Sequence, residues 1–320
     1  MLHKITSKTF ISFKMRKIQI VLFCLLLSSG ILKAQQEPMY SQYMFNMILI
    51  NPAYAGNRDV DNITALYRNQ WIGLDGAPKT ASITWDRRQE DSNEGFGLQI
   101  YNDKLGIETT TGVQGFFSHH IPFENSFLAL GISAGVLNYK AEYTRTHTVD
   151  PGDPNFQQDV NGWLPTFGFG VLYATENWYL GLSIPAMLHT KIEAENYLNQ
   201  KTIGANNHYF LTGGYIFDMS EEVKMKPSIL VKAVKGAPIQ YDFNLNGWFQ
   251  DVLGLGMSYR TGDAVVAMVE IQVMPQLRIG YAYDYTISDL KSYNRGTHEI
   301  MLRLEIGSSK SERVMSPRYY

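Results

Sequence analysis

Apolar and polar side chains alternate along much of this chain, most clearly in its last third. Between 265 and 273, Val265, Ala267, Val269, Ile271 and Val273 share one parity, while Glu270 and Gln272 take the other. After Pro275 the pattern resumes, with Leu277, Ile279, Tyr281, Tyr283 and Tyr285 against Arg278, Gly280, Ala282 and Asp284. It resumes again with Ile300, Leu302, Leu304 and Ile306 against Glu299, Met301, Arg303 and Glu305. Successive side chains of a strand point to opposite faces, so each segment is a strand with one apolar and one polar side. A soluble sandwich turns the apolar side towards a second sheet. A membrane barrel turns it towards lipid and keeps the polar side for the lumen.

Extended along the chain, the same reading gives about 14 strands of barrel length, an even number as single-chain outer-membrane barrels require. The first is expected at 60–71 and the last at 296–307. If the chain enters from the periplasm, the connections after even-numbered strands (90–93, 122–125, 175–176, 219–221, 249–250 and 274–275) are periplasmic, and all are short. The longer connections, 140–162, 187–206 and 287–295, all follow odd-numbered strands. Short periplasmic turns with longer outer loops are the asymmetry of these barrels. The expected fold is therefore all-β, a transmembrane antiparallel barrel with a periplasmic or plug segment ahead of it.

The N-terminus supplies a route to that membrane. Arg16 and Lys17 precede an apolar run over 18–27, and small residues lead to Ala34, the pattern of a secretory signal peptide. Met15 offers a second start. The chain divides into a signal peptide at 1–34, a periplasmic or plug segment at 35–59, the barrel at 60–307 and a periplasmic tail at 308–320. The single cysteine, Cys24, lies in the leader, so the mature chain carries no thiol chemistry. The leader holds Lys4, Lys8, Lys14, Arg16, Lys17 and Lys33 and no acid, against whole-chain totals of 28 basic and 30 acidic residues. The remainder is acidic, which argues against a nucleic-acid partner.

Candidate chemistry is sparse. His119 and His120 are adjacent and on opposite strand faces, which prevents them from converging on one metal ion. Asp150, Asp153 and Asp159 offer oxygen ligands but lack the spacing of a calcium loop, and a solvated outer loop is expected. No nucleophile motif surrounds Ser82, Ser133 or Ser258, so an enzyme is not expected, and no cofactor or metal. The Gly-x-Gly pairs 95/97, 168/170 and 254/256 fall on the polar parity, where they allow bending and leave room inside. Trp71, Trp163, Trp178 and Trp248 lie near strand ends, as interfacial girdles do. Glu270, Arg278, Asp284, Glu299, Arg303 and Glu305 share the inner face of three neighbouring strands. Pairing across the wall is expected of them, since an isolated buried charge is costly.

The segment before the first strand has no strand or helix periodicity. It contains Tyr40, Ser41, Gln42, Tyr43, Phe45 and Asn46, then Asn51, Pro52 and Tyr54. Downstream follows a block with Arg68, Gln70 and Trp71, running on to Gly73 and Pro78. These blocks, with Tyr283-Asp284-Tyr285 and the run from Gly296 to Ile300, resemble the PorP/SprF family, outer-membrane proteins of the type IX secretion system of Bacteroidetes. The resemblance covers essentially the whole mature chain, with Ile48 standing where the family leads one to expect proline.

The resemblance implies a multi-pass barrel in the outer membrane, in contact with its lipid. It also implies a role in secretion or surface anchoring of a partner such as a gliding adhesin, alongside type IX machinery subunits. The residues from Tyr40 to Tyr54 named above, with Arg68, Gln70 and Trp71, are candidates for partner docking or for a lumen plug. Arg318, Tyr319 and Tyr320 are candidates for C-terminal docking, both sets being expected to act from the periplasmic side. A diffusion channel for small solutes is the alternative, given a polar, glycine-containing lumen.

Overall fold

The computed structural model describes residues 39–307 apart from 59, 90–91, 147–152, 154–155, 188–191, 195–200 and 204–206, with the backbone alone at 192–194 and 201–203. The strands of the first half are β1 (Asp61–Asn69), β2 (Lys79–Arg88), β3 (Glu94–Leu105), β4 (Glu108–Pro122), β5 (Ser126–Ala141), β6 (Val160–Thr175) and β7 (Trp178–Met187). Those of the second are β8 (His208–Tyr215), β9 (Val223–Val234), β10 (Gln240–Phe249), β11 (Leu253–Arg260), β12 (Ala264–Met274), β13 (Leu277–Thr286) and β14 (Thr297–Ile306). Each pairs antiparallel with its neighbours in sequence, and β14 returns to β1 with Glu299 opposite Arg68, closing a 14-strand barrel. Closure leaves no unpaired edge, the condition for spanning lipid with strands. No helix among the described residues is long and apolar enough to cross a membrane.

The expected faces hold. Val265, Ile271, Ile279, Tyr281, Ile300 and Leu302 are exposed on the outer wall, while Glu270, Arg278, Asp284, Glu299 and Arg303 are buried inside. His119 is exposed beside Glu94 and His120 is buried, as strand alternation requires.

Four details differ from the sequence expectation. Gln70 and Trp71 lie beyond β1, because Trp71 adopts a left-handed φ of 46° that ends the ladder. The connection expected at 140–162 is partly strand. There β5 and β6 continue outward, with Asn138 and Asn161 bonded on the outside and Leu137, Tyr139, Val160 and Leu164 packed inside with Tyr143. The connection at 187–206 carries a short hairpin, Ile192–Ala194 paired with Lys201–Ile203. Trp248 belongs to no girdle. It shares parity with Asp242, Asn244 and Asn246 and points into the lumen, whereas Trp163 and Trp178 are exposed.

The main apolar core lies inside the barrel. Tyr40, Tyr43, Met44, Phe45, Met47, Ile50 and Tyr54 form one buried cluster with wall residues including Leu66, Leu172, Tyr179, Leu230 and Met301. Apolar groups that already face lipid have no hydrophobic drive to associate with one another. The area removed from water here is therefore lumen area, about 1.5–3 kcal/mol for each large side chain.

Candidate functional site: an occupied lumen

The segment before β1 is built from three single 3-10 turns, Tyr43–Phe45, Met47–Leu49 and Pro52–Tyr54. The third is set by local chemistry. Asn51 caps it, its Oδ1 accepting from the Ala53 N–H at 2.9 Å. Pro52, first in the turn, has no N–H to leave unpaired and a φ already fixed for helical geometry. Turns this short expose most of their backbone polar groups, so the segment depends on outside partners. The barrel wall supplies them.

Glu299 accepts the successive backbone N–H groups of Ser41 and Gln42, both at 2.8 Å. Arg303 donates to the Phe45 carbonyl, Ser183 to that of Ile50 and Ser118 to that of Ala55. The Gly56 N–H reaches Asp86, and Arg88 donates to the Gly56 carbonyl. Asn46 donates to Thr84, Asn51 to the Val171 carbonyl, and the Tyr43 hydroxyl accepts from Asn244 at 2.7 Å.

These contacts fix the direction of the segment. Glu299 lies one pair in from Asn69 and His298, at the end of the barrel that carries the long loops. Asp86 is opposite Asn62, at the end with the short turns. The chain thus runs down the lumen from the long-loop end at Ser41 to the short-turn end at Gly56, where it turns into β1.

Glycines on the inner wall make room for it. A Cβ on Gly170 would lie 1.9 Å from Asn51 Oδ1, one on Gly131 2.2 Å from the Ala53 nitrogen, and one on Gly95 2.0 Å from the Ala55 carbonyl oxygen. All three separations are far below contact distance, so only glycine fits.

Charges from the wall close around the segment in two groups. Towards the outer side, Arg68 bridges Asp284 at 2.7 Å and Glu299 at 3.0 Å and also donates to Ser41, whose hydroxyl in turn donates to Asp284. Arg260 joins them, 3.1 Å from Asp242 and 3.7 Å from Asp284. Towards the periplasm, Glu270 pairs with Arg303 at 2.6 Å and Arg278 at 3.8 Å, and accepts from the Trp248 indole. Glu305 pairs with Arg58 at 2.6 Å. The pairing expected across β12, β13 and β14 is present, extended to β1, β10 and β11. A small space of about 10 Å³ remains beside Phe45 and Trp248, room for one water.

The candidate residues divide accordingly. Tyr40, Ser41, Gln42, Tyr43, Phe45, Asn46, Asn51, Pro52 and Tyr54 are all buried in the lumen, Tyr54 edge-on to Tyr179 and Phe45 edge-on to Trp248. Arg68 joins them. Residues 40–57 thus lie within the barrel. Gln70 and Trp71 sit at the same end as Ser41, in the 70–78 loop, where the Gln70 N–H bonds the Pro78 carbonyl and the Trp71 N–H bonds Thr297. Arg318, Tyr319, Tyr320, the leader, Asp150 and the 308–320 tail lie outside the described residues.

The sequence reading missed the wall side of the site: Asp86, Arg88, Ser118, Ser183 and Asn244. Each sits on the inward parity of its strand, which was readable. Its partner was not, because the segment has no periodicity from which to place it. His120 was read only as a strand residue. It holds the segment's exit, with Nε2 3.1 Å from the Ala55 carbonyl and Nδ1 3.0 Å from Arg88.

Among solved structures, the chain is similar to outer-membrane barrels. The Ralstonia pickettii toluene transporter TbuX is 10% identical, with a TM-score of 0.49 over 83% of this chain and 93% of that one. Omp33 of Acinetobacter baumannii is 8% identical, with a TM-score of 0.46 over 78% of this chain and 100% of that one. No curated protein matches the chain. The family model for the type IX secretion system membrane protein PorP/SprF matches residues 32–304, nearly the full length of barrel and lumen segment. The chain belongs to the PorP/SprF family of type IX secretion system membrane proteins.

Proposed function

We propose that this protein is a stoppered outer-membrane barrel that supports secretion or surface anchoring of a partner protein, such as a gliding adhesin, in association with type IX machinery subunits. The observation that carries this reading is the lumen itself: residues 40–57 run through it and bond to the inner faces of β1, β2, β4, β6, β7, β10, β13 and β14, from Glu299 to Asp86. A diffusion channel needs that cross-section open. With the lumen occupied, work on a partner falls to the rims: the outer loops, including Gln70 and Trp71, and the C-terminal tail with Arg318, Tyr319 and Tyr320. Tyr40, Tyr43, Phe45 and their neighbours act as the stopper.

Deletion of 309–320 in the native host tests the reading. The expected result is a normal amount of heat-modifiable barrel in the outer membrane with reduced surface display of the cognate secreted protein. Normal display, in a strain that also tolerates replacement of the 70–78 loop by a short turn, would contradict it.

A further inference from the structure

The lipid-facing wall carries a recess that the lumen does not explain. It is an open hollow of about 410 Å³ at the periplasmic ends of β2 and β3, lined by Trp85, Arg87, Gln89 and Phe96. These four point outward, and Arg87 is directly opposite Phe96 in register. Asp61, at the start of β1, completes the group. The Trp85 indole N–H donates to its Oδ1 at 2.9 Å, and Arg87 stands 3.6 Å from its Oδ2. Arg87 and Asp61 keep 41% and 29% of their side chains exposed. Directly towards the membrane interior the wall turns apolar, with Ile83, Phe96 and Leu98 all exposed.

We infer that this recess is a binding site for a phosphatidylethanolamine molecule of the inner leaflet, its phosphate on Arg87, its ammonium on Asp61 and its chains along Ile83 and Leu98. The site offers both charges of the headgroup from neighbouring strands. A guanidinium is the preferred partner for a phosphate oxygen pair, and a carboxylate has acceptor sites beyond the two already engaged. Trp85 fixes the carboxylate and sits at the depth where indoles anchor barrels. The same arrangement discriminates. Phosphatidylglycerol brings only negative charge, which Asp61 repels, and phosphatidylcholine has no N–H with which to bond a carboxylate. The inference rests on the barrel and its membrane, not on the proposed role in secretion.

The test is competition on the purified full-length protein, stripped of lipid in detergent and offered equal amounts of phosphatidylethanolamine, phosphatidylglycerol and phosphatidylcholine with identical chains. Bound lipid is counted by native mass spectrometry. The expected result is about fivefold enrichment of phosphatidylethanolamine over each competitor, the effect of one exposed ion pair of about 1 kcal/mol. Arg87→Gln and Asp61→Asn should each bring the ratio near one while the barrel remains heat-modifiable, since both side chains are only half-buried. Free phosphoethanolamine or inorganic phosphate should not displace the lipid, because neither carries the chains. Equal occupancy by all three lipids in the unaltered protein would overturn the assignment. So would a preference for phosphatidylglycerol, a ratio unmoved by both variants, or displacement by either soluble ion.

Discussion

Removing the Glu299 side chain strikes the lumen segment where it is held most tightly. The carboxylate is fully buried and accepts the Ser41 and Gln42 N–H groups at 2.8 Å each and the Arg68 guanidinium at 3.0 Å. Glu299→Ala leaves two backbone donors without an acceptor and Arg68 with Asp284 and Ser41. Each hydrogen bond to a charged group contributes about 1.5–3 kcal/mol, and breaking a buried pair from one side costs about 3–5 kcal/mol. These figures overlap rather than add, so the expected loss is about 3–5 kcal/mol. Glu299→Gln keeps the shape and loses the charge, and should cost less, about 2 kcal/mol. Reversible urea unfolding in lipid vesicles measures both. Amide exchange at Ser41 and Gln42 reads the local consequence, which is faster exchange at those two positions while the amides of the wall strands stay protected. A change below about 1 kcal/mol for Glu299→Ala, or unchanged protection at Ser41 and Gln42, would show that the segment is not held in the lumen as described.

Other perturbations follow from the same geometry. Gly170→Ala and Gly131→Ala place a methyl group on Asn51 and Ala53 and should each cost about 1–3 kcal/mol in unfolding assays, whereas Gly115→Ala and Gly247→Ala, with nearest atoms at 3.8 and 3.7 Å, should be tolerated. Leu302→Arg, exposed to lipid near the middle of β14, should cost about 2–4 kcal/mol, and Gln272→Arg, near the periplasmic rim, under about 1 kcal/mol; equal costs would mean the wall faces are misassigned. The protein should run faster on gels before heating than after, and recovery as a soluble periplasmic protein after osmotic shock would exclude the barrel.

Much of this fold was legible because strand alternation is a local signal. The parity of Val265 against Glu270, or Leu302 against Arg303, fixes which way each side chain faces without knowledge of any partner, and an even strand count with short turns at one end fixes the closure. The inner pairs were half legible. Arg303 and Glu270 share a face on nearby strands, but Arg68, some 200 residues away in sequence, meets Asp284 and Glu299 only because β1 closes on β14. The glycine pairs lie on the lumen side as expected, and of the two reasons given for them, the room they leave inside is the one Gly95 and Gly170 show. Gly95 and Gly170 are small because Ala55 and Asn51 pass over them, more than because the wall bends there. The path of residues 40–57 was not legible. Isolated 3-10 turns leave no hydrophobic period, so the aromatic residues that pack against Trp248 and Tyr179 read equally well as an exposed docking surface. Trp248 shows the same limit, since nearness to a strand end suggested a girdle while its parity already pointed inward.

Single-channel recording in planar bilayers tests the occupied lumen most directly. The purified unaltered protein, inserted from detergent, is expected to give no steady conductance, and a Glu299→Ala, Gly170→Ala double variant that loosens the segment at Ser41–Gln42 and at Asn51 is expected to give frequent openings. Stable ohmic steps from the unaltered protein, of a size matching an open barrel of this strand number, would contradict a stoppered lumen and favour a solute channel.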